Sequence, residues 1–204
     1  MKKLFLVSSF KDVANIFKGF ENDLSGKTVT FIPTASRVEK VVFYVNAGRK
    51  ALEKMGLVVD ELDISAATTD EISSKIKNND FIYVTGGNTF FLLQELKRTG
   101  ADKIIIDEVN SGKLYIGESA GAMVASANVE YAKEMDSVKK GPGLEDFDFL
   151  NLVDFFTVPH YINPPFKKIA QKIIDNYSST LNLCPIGNKD AILVNGSEVK
   201  VERN

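Results

Sequence analysis

The 204-residue chain contains a single cysteine, Cys184, and a single histidine, His160. A lone cysteine cannot form a disulfide within the chain, and these two residues are too few for the clustered Cys/His sites that bind zinc. Chains without disulfides are typical of reducing compartments. We therefore expect a cytoplasmic protein.

The chain also lacks a strong charge of either sign and any long hydrophobic run. Lys and Arg total 25 and Asp and Glu 27, a net charge of -2, so there is no overall basic field for nucleic acid. No stretch approaches the ~20 apolar residues of a membrane span. Lys11 and Asp12 interrupt the apolar start too early for a signal peptide. We expect one domain over residues 1–204, with neither nucleic acid nor membrane as a partner.

Short apolar runs alternate with longer segments of helical periodicity. The predicted strands are Lys3–Ser8, Thr28–Pro33, Val58–Leu62, Phe81–Thr85 and Leu114–Gly117, with Phe155–Val158 as a candidate sixth. The predicted helices are Asp12–Asn22, Val38–Lys54, Asp70–Lys77, Thr89–Arg98, Lys103–Asn110 and Phe166–Tyr177. This alternation predicts a three-layer α/β fold with a mostly parallel sheet between helices.

Local signals mark several boundaries. Capping boxes are predicted at Ser36 with Glu39 and at Thr68 with Glu71. Gly56 and Gly100 are predicted to end helices. Residues 129–154 show no clear period and predict an irregular segment, which could form a lid over a site. The tail from Leu183 predicts short strands and a hairpin around Asn195-Gly196, at one edge of the sheet.

The sharpest motif is a G-x-S-x-G, Gly117-Glu118-Ser119-Ala120-Gly121, directly after a strand and before a run of small residues. This context is typical of a nucleophile elbow, where a sharp turn projects the serine hydroxyl and glycines allow close backbone approach. The alternative is a helix start that Ser119 only caps.

A second loop, Gly86-Gly87-Asn88-Thr89, also joins a strand to a helix. Its free amides, with that of Ala120, predict an oxyanion hole for acyl transfer. One alternative is an ordinary turn in which Asn88 caps the helix. Phosphate binding by the same amides is disfavoured, because neither P-loop lysine spacing nor G-x-G-x-x-G is present.

A serine nucleophile requires a base that titrates near neutral pH, and His160 is the one imidazole in the chain. It follows a candidate strand and stands before the stiff Pro164-Pro165. The base in turn requires a residue that orients it. We predict Asp190 for this role, with Asp136, Glu134 and Asp154 as the alternatives.

Two charged residues near the strand ends are candidate substrate-binding residues. Arg37 follows the second strand and could hold a substrate carboxylate, or could simply be solvated. Glu118 precedes the serine and could pair with a substrate ammonium or point away. The cluster Phe147, Phe149, Phe155 and Phe156 is ordinary core or part of a homodimer interface.

At these motifs the chain resembles the serine peptidase family of aspartyl dipeptidase (peptidase E) and cyanophycinase, a branch of the class I glutamine amidotransferase-like fold of flavodoxin-like topology. The resemblance covers most of the chain. It implies a hydrolase without metal or other cofactor, in which Ser119 is the nucleophile, His160 the base and Gly86-Gly87 the oxyanion loop. It places the acid either shortly after the serine or near the C-terminus.

The sequence thus predicts a serine peptidase that hydrolyses short peptides through an acyl-enzyme. The resemblance adds dipeptides with an N-terminal acidic residue as candidate substrates. Two alternatives remain open: a hydrolase of isopeptide or ester bonds with the same residues, and a non-catalytic domain that binds a small ligand.

Overall fold

The computed structural model describes residues 1–204 as nine strands and seven helices. The strands are β1 (Lys3–Val7), β2 (Thr28–Ile32), β3 (Val58–Glu61), β4 (Phe81–Val84), β5 (Leu114–Glu118), β6 (Phe156–Val158), β7 (Leu183–Pro185), β8 (Asp190–Asn195) and β9 (Glu198–Arg203). The helices are α1 (Ala14–Phe20), α2 (Phe43–Lys54), α3 (Thr69–Asn78), α4 (Thr89–Thr99), α5 (Ala101–Asn110), α6 (Ala120–Met123) and α7 (Lys167–Tyr177).

Seven strands form the main sheet, in the order β3-β2-β4-β5-β1-β8-β9. Strands β1 to β5 are mutually parallel, whereas β8 runs antiparallel to both β1 and β9. The hairpin of β8 and β9 turns at Asn195-Gly196, where Gly196 adopts φ 64°. The predicted hairpin at the sheet edge is confirmed.

Alternate residues of the central strands face opposite layers. In β1, Leu4 and Leu6 belong to the core under α3, α4 and α5, whereas Phe5 and Val7 belong to the core under α1 and α2. Burial of one such side chain stabilises the fold by about 1.5–3 kcal/mol. The mostly parallel, three-layer α/β prediction is confirmed.

The candidate sixth strand forms but lies outside the main sheet. It is β6, which pairs in parallel with β7 in a separate two-stranded sheet. Periodicity shows that a strand exists but not which strand it pairs with, so this sheet could not be predicted.

One predicted helix start is wrong and another is confirmed. The helix expected from Val38 begins at Phe43, because the Ser36 hydroxyl donates to Pro33 O at 2.7 Å in a 3-10 turn and caps no helix. In contrast, Thr68 Oγ1 accepts from the backbone of Glu71 at 3.2 Å and caps α3.

Residues 129–154 are irregular, as predicted, apart from two 3-10 turns over Glu130–Glu134 and Val138–Lys140. The segment packs on α4, where Gly143 N donates to Gln94 Oε1 at 2.8 Å. Of the aromatic cluster in and beside this segment, Phe155 is buried in the core. The other three members are half-buried and pack against the core: Phe147, Phe149 and Phe156. None of the seven helices has both the length and the apolar character needed to cross a bilayer.

Candidate active site

The two glycine-containing loops meet where β4 and β5 end. These strands are adjacent and parallel, with Val84 opposite Gly117, so the loops that follow them emerge side by side. A Cβ atom on Gly86 would lie 3.1 Å from the Cβ of Ser119. The structure therefore brings the predicted oxyanion loop against the predicted nucleophile.

Ser119 occupies the sharp turn that the motif predicts. Its backbone has φ 51° and ψ -107°, which is strained for a residue with a side chain. A Cβ on Gly117 would lie 2.4 Å from Gly121 O, and one on Gly121 would lie 2.2 Å from Val84 O. The glycines therefore permit the close packing that holds the turn. The Ser119 hydroxyl does not cap α6, so the helix-cap alternative is wrong.

Three backbone amides in the two loops have no protein acceptor: those of Gly86 and Gly87 after β4, and that of Ala120 after β5. The next amide, of Asn88, donates to Ala35 O at 2.8 Å. The Asn88 side chain also caps α4, since its Oδ1 accepts from two first-turn amides at 3.0 and 3.1 Å. The loop is thus both a helix cap and a source of unpaired donors.

His160 reaches the serine as expected. Its Nε2 lies 3.0 Å from Ser119 Oγ, which is hydrogen-bond distance. The ring of Phe166 stacks on the imidazole with centroids 4.9 Å apart and an interplanar angle of 26°. No sequence pattern indicates this stacking, because it depends on how the loop after His160 turns into α7.

The other imidazole nitrogen contacts an asparagine. Asn188 Oδ1 lies 2.8 Å from His160 Nδ1. The two residues follow β6 and β7, which are adjacent and parallel, with Val158 opposite Pro185. An amide oxygen only accepts, so this contact requires the proton on Nδ1 and leaves Nε2 free to accept from the Ser119 hydroxyl.

Asp190 does not contact His160, so the predicted contact is wrong. Its Oδ2 accepts from Gly187 N at 2.8 Å, and its Oδ1 lies 3.3 Å from Arg203 Nε. Asp190 is the first residue of β8, and its carboxylate folds back on the turn that precedes this strand. Asp190 therefore supports the turn that carries Asn188.

None of the alternative acids contacts the imidazole either. Asp136 Oδ2 accepts from Thr89 N and Oγ1 at 2.9 and 2.5 Å, and burial raises its pKa to about 6. Glu134 pairs with Lys172 at 2.7 Å, and Asp154 is exposed. The orienting position is therefore occupied by the neutral Asn188, which a prediction based on carboxylates misses.

Burial sets the protonation of the imidazole. It lowers the pKa of His160 below 6.5, and the hydrogen bond that His160 Nδ1 donates to Asn188 only partly opposes this. No carboxylate contacts the ring to stabilise its charged form. At neutral pH the imidazole is therefore uncharged and able to accept a proton. No three His, Cys, Asp or Glu side chains are grouped so as to hold a metal ion.

Glu118 does not line the site, contrary to expectation. It is 4% exposed, and its carboxylate accepts from Phe10 N at 2.9 Å and from Tyr83 Oη at 2.8 Å. Burial raises its pKa to about 7. Because successive strand residues face opposite sides of a sheet, the side chain enters the layer under α1 and α2.

Arg37 is near the loops but is already paired. Its Nη2 lies 2.8 Å from Glu61 and its Nε 2.6 Å from Asp63. The preceding residue packs on the oxyanion loop, since a Cβ on Gly87 would lie 2.5 Å from Ser36 N. The guanidinium is exposed, and a substrate carboxylate would have to compete with two acids for it.

Tyr44 borders the site and was missed by sequence reasoning. A Cβ on Gly86 would lie 3.6 Å from Tyr44 Cε2. Burial, with the nearby charge of Glu39 among the further causes, raises the pKa of the phenol to about 12, so it remains a hydrogen-bond donor at neutral pH. Its position in the first turn of α2 carries no recognisable motif.

Comparisons with known proteins identify the family of the chain. The model of peptidase family S51 matches residues 4–202. An uncharacterized peptidase of Listeria monocytogenes is 61% identical over 203 residues, covering 100% of this chain and 99% of the relative. Peptidase E of Haemophilus influenzae is 31% identical over 174 residues, covering 81% and 74%.

A solved structure is similar over the full length. The crystal structure of a candidate peptidase E from Listeria monocytogenes superposes with a TM-score of 0.97 at 61% identity, covering 100% of this chain and 99% of that one. The family match spans far more than half of the residues. The chain therefore belongs to peptidase family S51 and is a peptidase.

Proposed function

We propose that the chain hydrolyses short peptides through Ser119 as nucleophile, His160 as general base and Asn188 as the residue that orients the imidazole. The observation that supports this proposal is a pair of contacts to the imidazole. Ser119 Oγ lies 3.0 Å from His160 Nε2, and His160 Nδ1 lies 2.8 Å from Asn188 Oδ1. A nucleophile, a base and an orienting acceptor are the parts that acyl transfer requires.

The reaction follows from these contacts. Ser119 Oγ attacks the scissile carbonyl carbon while its proton passes to His160 Nε2. The C–N bond then breaks as the imidazolium returns that proton to the leaving amine, which leaves an ester on Ser119. Water, deprotonated by His160, attacks the ester, and the acid product leaves as the proton returns to Ser119.

The unpaired amides of Ala120, Gly86 and Gly87 would bind the oxyanion of each tetrahedral intermediate. They are backbone groups fixed by tight packing, so they require little reorganisation as the negative charge develops. One such donor is typically worth on the order of 10²–10³ in rate. This part of the proposal does not depend on the identity of the substrate side chains.

For specificity, we propose short peptides whose N-terminal residue is not restricted to acids. Arg37, the predicted binder of an acidic side chain, pairs with Glu61 and Asp63. Dipeptides with an N-terminal acid are the second candidate, supported by relatives named peptidase E. Isopeptides and esters belong in the same substrate panel, because the acyl chemistry is common to all three.

The test is hydrolysis of a dipeptide library that varies the N-terminal residue, with one isopeptide and one ester included. We expect turnover by the wild-type protein, loss of turnover in Ser119→Ala, and retention in Ser126→Ala, a buried serine outside the site. A serine-directed fluorophosphonate should add one mass label to wild type and none to Ser119→Ala. Equal turnover in wild type and Ser119→Ala would refute the assignment.

The cytoplasm is the compartment we propose for this activity. The support is chemical: the free thiol of Cys184 is half-buried and forms no disulfide, and such chains are typical of reducing compartments.

A further inference from the structure

Both proposed reacting residues depend on neighbouring positions at the end of β1. Ser119 N donates to Val7 O at 2.8 Å. His160 N donates to Ser8 Oγ at 2.9 Å. The nucleophile and the base, which are 41 residues apart in sequence, are thus attached through their own backbones to two consecutive residues.

The Ser8 hydroxyl makes two hydrogen bonds in this arrangement. It accepts from His160 N and donates to Ile186 O at 3.0 Å, and Ser8 is 2% exposed. Tyr161 N also donates to Ile186 O, at 3.0 Å. One buried hydroxyl therefore bridges the loop that carries the base and the loop that leads to Asn188.

The backbone at His160 requires such support. It has φ 61°, a left-handed conformation that is uncommon for a residue with a side chain. Conformations of this kind persist only where surrounding contacts determine them. The Ser8 hydroxyl accepts its hydrogen bond from the backbone amide of His160, the residue that holds this conformation.

We propose that Ser8 is a positioning residue that fixes the base against the nucleophile by holding the His160 backbone in its left-handed conformation. Without the hydroxyl, the amide of His160 would lose its hydrogen-bond acceptor, which favours movement of the loop. A displacement of about 1 Å between reacting groups can lower the rate on the order of 10²-fold. The inference rests on the proposed function for its effect on turnover.

The test uses the fact that the chain has one histidine. Its imidazole resonances in NMR are unambiguous, so the position of the ring can be followed without any activity. In Ser8→Ala we expect kcat to fall on the order of 10- to 100-fold with little change in KM, and the titration midpoint of His160 to rise toward that of a free histidine as the ring becomes solvated.

Ser126→Ala is the matched control. Ser126 is also fully buried, and its hydroxyl has no hydrogen-bond partner. A loss of stability alone would leave the His160 titration unchanged, so this readout separates positioning from general destabilisation. We expect the control to keep both the wild-type kcat and the wild-type titration.

A folded Ser8→Ala protein with wild-type kcat and titration would overturn the inference. If Ser8→Ala does not fold, Ser8→Cys replaces it, since a thiol is of similar size and a weaker hydrogen-bonding group. We expect intermediate kcat and titration for this variant, and wild-type values would again overturn the inference. If the wild type hydrolyses no peptide but Ser8→Ala moves the titration, the proposed function fails and the positioning role stands.

Discussion

Replacing Asn188 with aspartate would place a carboxylate where a neutral amide now contacts the imidazole. The wild-type contact is 2.8 Å long, and burial holds the pKa of His160 below 6.5. A carboxylate at this distance favours the charged imidazolium and should raise the pKa of His160 by about 1 to 3. In free energy this is about 1.4–4 kcal/mol of added stabilisation of the protonated ring.

The consequence for activity depends on the sign of this change. His160 acts as a base only when neutral, so activity is lost as the pH falls through its pKa. The acid limb of kcat/KM in Asn188→Asp should therefore lie about 1 to 3 pH units above that of the wild type. Above that limb, kcat should be at least equal to the wild-type value, because the carboxylate also stabilises the imidazolium of the transition state.

The assay is kcat/KM on the best dipeptide from pH 4.5 to 9, with an NMR titration of the single histidine in parallel. Asn22→Asp is the control, because it adds the same charge at an exposed position in the connection before β2, at the amino ends of the strands and thus opposite the loops of the site. An acid limb in Asn188→Asp that coincides with the wild-type limb would refute the placement of Asn188 on the base.

Three further outcomes are expected. Asp190→Asn keeps an acceptor for Gly187 N, so kcat should fall no more than about fivefold; its acid limb should match the wild type, and a shifted limb would restore Asp190 as the orienting residue. Gly121→Ala, with its Cβ 2.2 Å from Val84 O, should lower the urea-measured unfolding free energy by about 1–3 kcal/mol or more. Burial raises the pKa of Glu118 from 4.5 to about 7, so the folded state binds this proton more tightly than the unfolded state does. Protonation of Glu118 therefore stabilises the fold fully below pH 4.5, and this stabilisation is lost as the pH rises to 7. The unfolding free energy of the wild type relative to Glu118→Gln should thus fall on the order of 3 kcal/mol over that range; a constant difference would contradict the shift.

Much of the fold could be predicted because its signals are local. Apart from β3, strands β1 to β5 are mostly apolar, and the bounds of all five differ by one residue from the prediction. Turn chemistry likewise identified the hairpin at Asn195-Gly196 and the helix end at Gly100. The start of α2 was misplaced because Ser36 has a competing acceptor, Pro33 O, that no sequence pattern reveals.

The sequence by itself determined the strand-turn-helix around Ser119, the glycine pair Gly86-Gly87, and the identity of the proposed base, since the chain has one histidine. Each of these depends on residues adjacent in the chain. The partner of the base was decided by the tertiary structure. Asn188 and Asp190 lie in the same turn, and the pairing of β6 with β7 brings the asparagine to an imidazole 28 residues away, while the aspartate closes the turn. Contacts between distant segments depend on strand pairing and side-chain direction, which local patterns do not specify.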